Sequence, residues 1–310
     1  QANIVKDRTK GILYASATAL LWGFLAIVLK ASLADLDPVA VTWFRFTIAF
    51  VLLAIFMSVS KPSYFNIIRR PPWLLIFAAL ALGLNYLGFI TGIHYTTPSN
   101  AQVFIQTGPI LLALSGIFIY KEKLKPMQLA GLLFAAAGLV TFYSEQLKVI
   151  SFEDVLYNKG VLWVLFGAVS WATYANLQKS LVKSYPTNQL NLLIYGLPAL
   201  LYTPFIDLDP VQTISLPYWL AIIFLGVNTL IAYTCMSQAL KYVEANIVSV
   251  IITVNPIITF IVMGILTEME VSWMVPEHFT MISIVGALMV LSGAVMTIFF
   301  SRNRRPKRSE

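Results

Sequence analysis

The chain has 310 residues, of which 58% are hydrophobic and only 11% charged, and its mean hydropathy is +0.78. Soluble domains carry about 25% charged residues, so a water-soluble enzyme or binding module is excluded and a polytopic helical membrane protein is indicated. The net charge of +7 and the basic tail RNRRPKR are explained by membrane topology rather than by nucleic acid, because they flank apolar spans.

Ten apolar stretches are long enough to cross a bilayer core of about 30 Å. They are 11–30, 39–59, 73–93, 99–119, 127–143, 160–178, 188–206, 217–238, 245–266 and 280–300. The first is too long, and too well matched to the sixth, for a cleaved signal peptide. The connections are short and leave no room for a nucleotide-binding cassette or a catalytic domain. With the N-terminal segment 1–10 placed in the cytoplasm, 17 of the 21 basic residues fall on that side. Lys30, Lys148 and Lys159 fall outside and Arg45 lies within a span, so the positive-inside rule predicts a multi-pass inner-membrane protein with both termini cytoplasmic, the tail 301–310 included.

The chain also repeats itself. Gly11, Trp22 and Lys30 recur 149 positions later as Gly160, Trp171 and Lys179, and Pro109 recurs 147 positions later as Pro256. Gly131 and Gly138 return as Gly286 and Gly293, at a longer offset because the connection Glu268 to Thr280 is longer than its counterpart Glu122 to Met127. The copies are 11–143 and 160–300, joined by an external connection 144–159. Each holds five spans, an odd number, so the second copy must be inverted relative to the first. The predicted fold is therefore an all-α integral membrane protein with ten transmembrane helices in two inverted five-helix repeats. A two-fold axis then lies in the membrane plane, with a substrate site between the halves.

The stretch ALLWGFLAIVLKASLADLDPVAVTWFRF, followed by YTTPSNAQVFIQTGPILLALSGIFIYKEKLKPMQLAGLLFAAAGLV, resembles the ten-helix, EamA-type branch of the drug/metabolite transporter superfamily. The resemblance rests on the Trp-Gly of the first span, the Arg-Phe of the second, and the fourth-span proline followed by a basic loop and a Gly-rich fifth span. In the second copy the pattern weakens: Ala172 follows Trp171, nothing matches Arg45, and TEMEVSWMVPEH replaces the short loop KEKLKP. The resemblance implies export or exchange of small metabolites, often amino acids, across a bacterial inner membrane. Relatives of this kind carry amino acids, sugars, nucleotide sugars and phosphorylated compounds.

Pro109 and Pro256 lie near the middle of the fourth and ninth spans. Each kinks its helix and frees the carbonyl four residues earlier, Ile105 or Ile252. Beside them run matching polar faces, Gln102 and Gln106 in one copy, Ser249 and Thr253 in the other. Such faces are either facing walls of one cavity or interhelical contacts. Asn85 and Asn228 follow Gly83 and Gly226 in the matching strings GLNY and GVNT, and with Trp22, Trp171 and Tyr174 they are the residues expected to complete the lining of the substrate cavity. Trp22, Trp171 and Tyr174 either stack on a solute or fill space.

Lone Cys235 and the scattered His94 and His278 indicate no metal site, and no cofactor is implied. No Asp or Glu lies in a span, which argues against a cationic-drug antiporter. Apart from Arg45, no cation is deep enough to hold a phosphate dianion. Arg45 sits about six residues from the outer end of its span, roughly 9 Å deep and within snorkelling reach. It reads either as an anchor for a substrate carboxylate or as a structural residue. The sequence thus predicts a non-enzymatic secondary transporter, a uniporter or exchanger, for a small uncharged or zwitterionic metabolite, with amino acids and export foremost. Sugars, nucleosides or phosphorylated metabolites are the alternative cargo, import the alternative direction, and a channel-like pore or receptor the alternative class. The partners expected are a small-molecule substrate and the lipid bilayer, with no nucleic acid and a homodimer left open.

Overall fold

The computed structural model describes residues 2–120, 125–149, 154–207, 209, 214–243, 245–271, 274, 276–277 and 279–300; the side chains of several helical residues, Ser249 and Lys241 among them, lie outside this description. The predicted tail 301–310 and the loop lysines Lys121 and Lys123 also lie outside the described residues. Among the described residues all regular structure is helical. In chain order the helices are α1 (Ala2–Ser32), α2 (Pro38–Ser60), α3 (Asn66–Arg69), α4 (Trp73–Tyr95), α5 (Pro98–Phe104), α6 (Thr107–Tyr120) and α7 (Pro126–Val149). The remainder are α8 (Asp154–Leu181), α9 (Thr187–Tyr202), α10 (Leu216–Tyr242), α11 (Ala245–Ile252), α12 (Asn255–Glu268) and α13 (Met281–Phe300).

Among the described residues, eight helical stretches are long and apolar enough to cross a membrane. They fall where the sequence predicts the first, second, third, fifth, sixth, eighth, ninth and tenth spans, the ninth being interrupted by a turn at Thr253 and Val254. At the fourth, the polypeptide forms two short helices, α5 and α6, separated by a turn at Ile105 and Gln106. At the seventh, α9 has 16 residues with Pro198 inside it, and a 3-10 turn, Thr203–Phe205, continues it. Helices also outrun the hydropathy boundaries. α1 begins at Ala2, α7 runs to Val149 and α8 starts at Asp154, so residues 2–10 and the described parts of connection 144–159 are helical. Backbone hydrogen bonding continues past the apolar stretch into residues that water can solvate.

Capping fixes the turns between spans. Asp37 accepts from the Val39 and Ala40 amides at 2.7 and 3.1 Å and stands before Pro38 at the first position of α2. Thr97 accepts from the Asn100 amide at 3.4 Å at the start of α5. Lys30, in the last turn of α1, donates to the carbonyls of Ile93 and Thr96, both at 2.9 Å, and so caps the end of α4.

Small residues let helices approach closely, the main route to tight association in an apolar solvent. On α7, a Cβ added at Gly131 would sit 2.8 Å from Met296 Cβ and the Thr297 nitrogen, and one at Gly138 would sit 2.7 Å from the Gly286 carbonyl and the Val290 nitrogen. On α13, Gly286 faces Phe142 and Gly138, and Gly293 faces Ala135 and Gly131. Positions ascend on one helix as they descend on the other, so α7 and α13 run antiparallel. The contact set is also its own image: exchanging Gly131 with Gly286 and Gly138 with Gly293 turns each contact into another in the set. Gly88 and Gly92 of α4 meet Gly167 and Gly160 of α8 in the same antiparallel sense. In α1, Gly11 lies against Tyr242 and Val243, and the Thr18 hydroxyl reaches the Ala232 carbonyl at 3.3 Å, so α1 is antiparallel to α10.

Apolar side chains point both inward and outward. Two buried clusters fill the interior, one around Leu29, Ile90 and Val164, the other around Phe46, Leu82 and Tyr195. Val59, Val140, Leu162, Leu220, Ile261 and Met281 are exposed on the outer surfaces of their helices, a distribution stable only in lipid.

Close packing makes a direct prediction. Gly293→Ala would put a methyl group 2.5 Å from the Ala135 nitrogen and 2.6 Å from the Gly131 carbonyl, both rigid backbone, whereas Gly264 has nothing within 4 Å of such an atom. Gly293→Ala should destabilise the purified protein by about 1–3 kcal/mol through overpacking. Gly264→Ala should leave it unchanged or raise it by up to about 1 kcal/mol through helix propensity. Thermal unfolding in one detergent compares the two.

Candidate functional site

Both proline-bearing spans are interrupted. α5 gives way to α6 at Ile105 and Gln106, and α11 to α12 at Thr253 and Val254. Pro109 and Pro256 stand in the first turns of α6 and α12, where a missing N–H removes no helical bond. The predicted kinks are therefore full breaks. The Ile105 carbonyl is not left free: it accepts from the Gly108 N–H at 2.9 Å, in the tighter three-residue pattern of a turn.

The breaks meet each other and α1. Gln102 donates to the Trp22 carbonyl at 2.9 Å, and Thr259 donates to the Gly23 carbonyl at 2.7 Å. Gln106 donates to the Asn255 side-chain oxygen at 3.3 Å, joining the break of one copy to that of the other. All four side chains are buried, as is Thr253. Gly23 allows the approach, since a Cβ there would lie 2.7 Å from Ile258. In the mirror position, Trp171 packs at 3.2 Å over the place a Cβ would occupy on Gly108. Gln106 of the first predicted polar face thus reaches the second copy at Asn255, two residues beyond Thr253 of the other predicted face. Of Ser249, only the backbone in α11 is described.

The two asparagines form a matched pair of struts. The Asn85 amide donates to the Gly167 carbonyl and the Asn228 amide to the Leu21 carbonyl, each at 2.9 Å. Each ties its helix to the antiparallel neighbour, α4 to α8 and α10 to α1. A depression of about 310 Å³ between α6, α7 and α8, lined by Thr107, Ile110, Leu111, Leu132 and Ala135 among others, borders none of the residues that the sequence predicts for the site.

Beside the breaks lies an aromatic cluster. Trp22 packs edge-on against Tyr233 with centroids 5.5 Å apart; Tyr233 contacts Tyr174 at 6.3 Å and Tyr86 at 6.4 Å. Trp171 packs against the same core. Arg45 does not snorkel. It is 2% exposed, and its guanidinium carbon lies 4.1 Å from the centroid of the Tyr86 ring, held by the negative face of the ring. Trp22, Trp171, Tyr174 and Arg45 therefore belong to one cluster, next to the polar contacts of Gln102 and Gln106.

Several participants escaped the sequence reading. Asn255 and Thr259 form an (i, i+4) pair flanking Pro256, and that spacing is the signal for them. Tyr86, Tyr195 and Tyr233 have no local signal, being brought together by three helices far apart in sequence. Glu277 lies in the long connection before α13, yet it is buried; its carboxylate accepts from the Ser99 N–H at 3.3 Å, and its own N–H donates to Thr267 at 3.1 Å. Burial pushes its carboxyl up from the ordinary value, against the opposing pull of hydrogen bonds from Ser99 and Thr97 and the charge of Lys30.

Comparison with known proteins gives this arrangement its class. The EamA-like transporter family model matches residues 9–144 and again 158–299, so the chain belongs to the EamA-like transporter family, within the drug/metabolite transporter superfamily. It is 30% identical to the uncharacterized inner membrane transporter YhbE of Escherichia coli (strain K12), over 92% of this chain and 90% of that one. It is 29% identical to an uncharacterized transporter of Haemophilus influenzae, over 93% of this chain and 94% of that protein. A crystal structure of another protein, 20% identical, shares the fold with a TM-score of 0.65, covering 96% of this chain and 100% of that chain. The chain is thus a multi-pass membrane transporter by family.

Glu277 supplies a pH prediction. Its raised folded-state pKa means the folded protein binds that proton more tightly than the unfolded chain, so this contribution to stability is full below the ordinary carboxylate range and is lost as pH rises through the raised value. Wild-type Tm should therefore carry a component that falls between acidic and neutral pH. Glu277→Gln should flatten that component, as thermal unfolding at stepped pH will read.

Proposed function

We propose that this transporter is a uniporter or exchanger working by alternating access, with ten spans in two inverted repeats. It moves a small uncharged or zwitterionic metabolite, an amino acid foremost, across the bacterial inner membrane in the export direction. The observation that carries this reading is the pair of mirrored breaks, hydrogen-bonded to each other through Gln106 and Asn255 and to adjacent carbonyls of α1 through Gln102 and Thr259. Irregular backbone at membrane depth survives only inside protein or beside a water-lined path, and discontinuous helices are how secondary transporters build midplane sites. A Gln–Asn contact at 3.3 Å is near the long end of hydrogen bonding, so a solute can replace it at small cost. Inner-membrane placement follows the relatives' names and the placement of 17 of the 21 basic residues on one side of the ten-span topology.

In this reading Gln102, Gln106, Thr253, Asn255 and Thr259 supply the polar contacts, and Ser249 joins them on its sequence spacing of four residues from Thr253. Trp22, Trp171 and Tyr174 form the apolar wall. Asn85 and Asn228 brace the helices behind it. Gln106→Ala and Asn255→Ala should each weaken solute affinity by about 5- to 150-fold, the equivalent of roughly 1–3 kcal/mol for a lost buried partner. Both should leave detergent-purified protein monodisperse. The measurement is counterflow in proteoliposomes over a panel of amino acids, sugars, nucleosides and phosphorylated metabolites, followed by affinity for the best solute. Saturable, trans-stimulated flux is expected, and non-saturating flux without counterflow would indicate a pore instead.

A further inference from the structure

We infer that Arg45 and the tyrosines around it form the carboxylate-recognition element of this transporter, so that the cargo must carry a free carboxylate beside an apolar body. The inference rests on the transporter reading above and names its substrate class. Arg45 is 2% exposed, in the second helix of a membrane bundle. Its guanidinium lies over Tyr86 at 4.1 Å, and its Nε is buried without a hydrogen-bond partner. Among the described residues no carboxylate pairs with it, and the sequence places no acid in any of the ten predicted spans. A buried cation whose only attraction is a ring face is under-compensated: cation–π contact supplies about 2 kcal/mol when desolvated, less than the several kcal/mol that burying an ion costs. Intramembrane charges of this kind mark substrate paths.

The surroundings specify what completes the pair. A guanidinium offers five donors in a planar fork matched to a carboxylate. The surroundings are aromatic: Tyr86 lies under the guanidinium and packs on Phe46 with ring centroids 4.5 Å apart, and Phe46 in turn lies 6.5 Å from Tyr195. The Tyr195 hydroxyl is itself buried and unpartnered, a second donor for an anion. Tyr233 then links this cluster to Trp22, whose carbonyl holds Gln102 of the broken fourth span. A solute lying between the two places its carboxylate at Arg45 and Tyr195 and its uncharged polar or ammonium end at Gln102, Gln106 and Asn255. Neither Tyr86 nor Tyr195 can neutralise the cation by itself, so neutral sugars and nucleosides leave Arg45 uncompensated.

The test works from the solute side, where protein folding is not in question. Wild-type protein in proteoliposomes is offered each amino acid, its methyl ester and the corresponding decarboxylated amine in counterflow, with neutral sugars and nucleosides alongside. Competition by the free acid should exceed that of ester and amine by about tenfold to a hundredfold, the worth of a charge-assisted bond. On the protein side, Tyr195→Phe should weaken acid binding several-fold without changing the weak binding of the ester. Arg45→Gln should abolish the preference for acid over ester. Equal competition by acid and ester would overturn the inference, as would saturable counterflow of neutral sugars or nucleosides alone, though the latter leaves the transporter reading standing. Non-saturating flux of every solute would overturn the transporter reading itself.

Discussion

Two adjacent carbonyls on one helix hold the centre of this molecule together. Trp22 and Gly23 of α1 accept from Gln102 of the first copy and Thr259 of the second, at 2.9 and 2.7 Å. A carbonyl has two acceptor sites, so these bonds form without dissolving the α1 ladder. They tether α5 and α12, each next to a break in its span. In hydrocarbon a broken helix is tolerable only if its neighbours satisfy the groups that the break releases. Within the turns Gly108 N–H bonds the Ile105 carbonyl and Ile257 N–H the Val254 carbonyl, while α1 anchors the side chains beside both breaks and Gly23 lets the ninth span approach closely.

Around this centre the packing divides labour. Small-residue contacts between α7 and α13 and between α4 and α8 are backbone-tight, leaving little freedom for those pairs to slide. The bond that joins the two breaks to each other, Gln106 to Asn255, is longer at 3.3 Å and side-chain mediated. Rigid pairs on the periphery and a weakly held seam in the middle form a mechanical pattern suited to two bodies that rock about a fixed site. Glu277 and Lys30 add polar ties at one end of the bundle, joining the connection before α13 to α5 and α1 to α4.

Much of this was legible in the sequence, for reasons that particular residues make plain. Span positions follow from hydropathy because lipid leaves no alternative to apolar helices, and the glycines at 131, 138, 286 and 293 announce tight crossings because only small residues permit them. Pro109 and Pro256 mark the breaks. What stayed hidden depends on contacts between distant segments. Hydropathy could not distinguish a kinked helix from the two short helices at the fourth span. Counting residues to the start of α2 put Arg45 within snorkelling reach, but Tyr86 on α4 holds it inside. Glu277 carries no local signal of burial; nothing near it in sequence tells that it reaches Ser99 on α5. Asn85 and Asn228 were visible as intramembrane amides, while their partners, the carbonyls of Gly167 and Leu21, carry no sequence signal at all.

Under the proposed mechanism α6 and α12, beyond the two breaks, change their separation when solute binds. Leu111 on α6 and Ile261 on α12 are both exposed to lipid, so spin labels placed there, in a background with Cys235 replaced by Ala, report that separation without touching the proposed site. Double electron–electron resonance with and without saturating solute should show at least two distances whose proportions shift on binding. A single distribution that solute leaves unchanged would contradict the account.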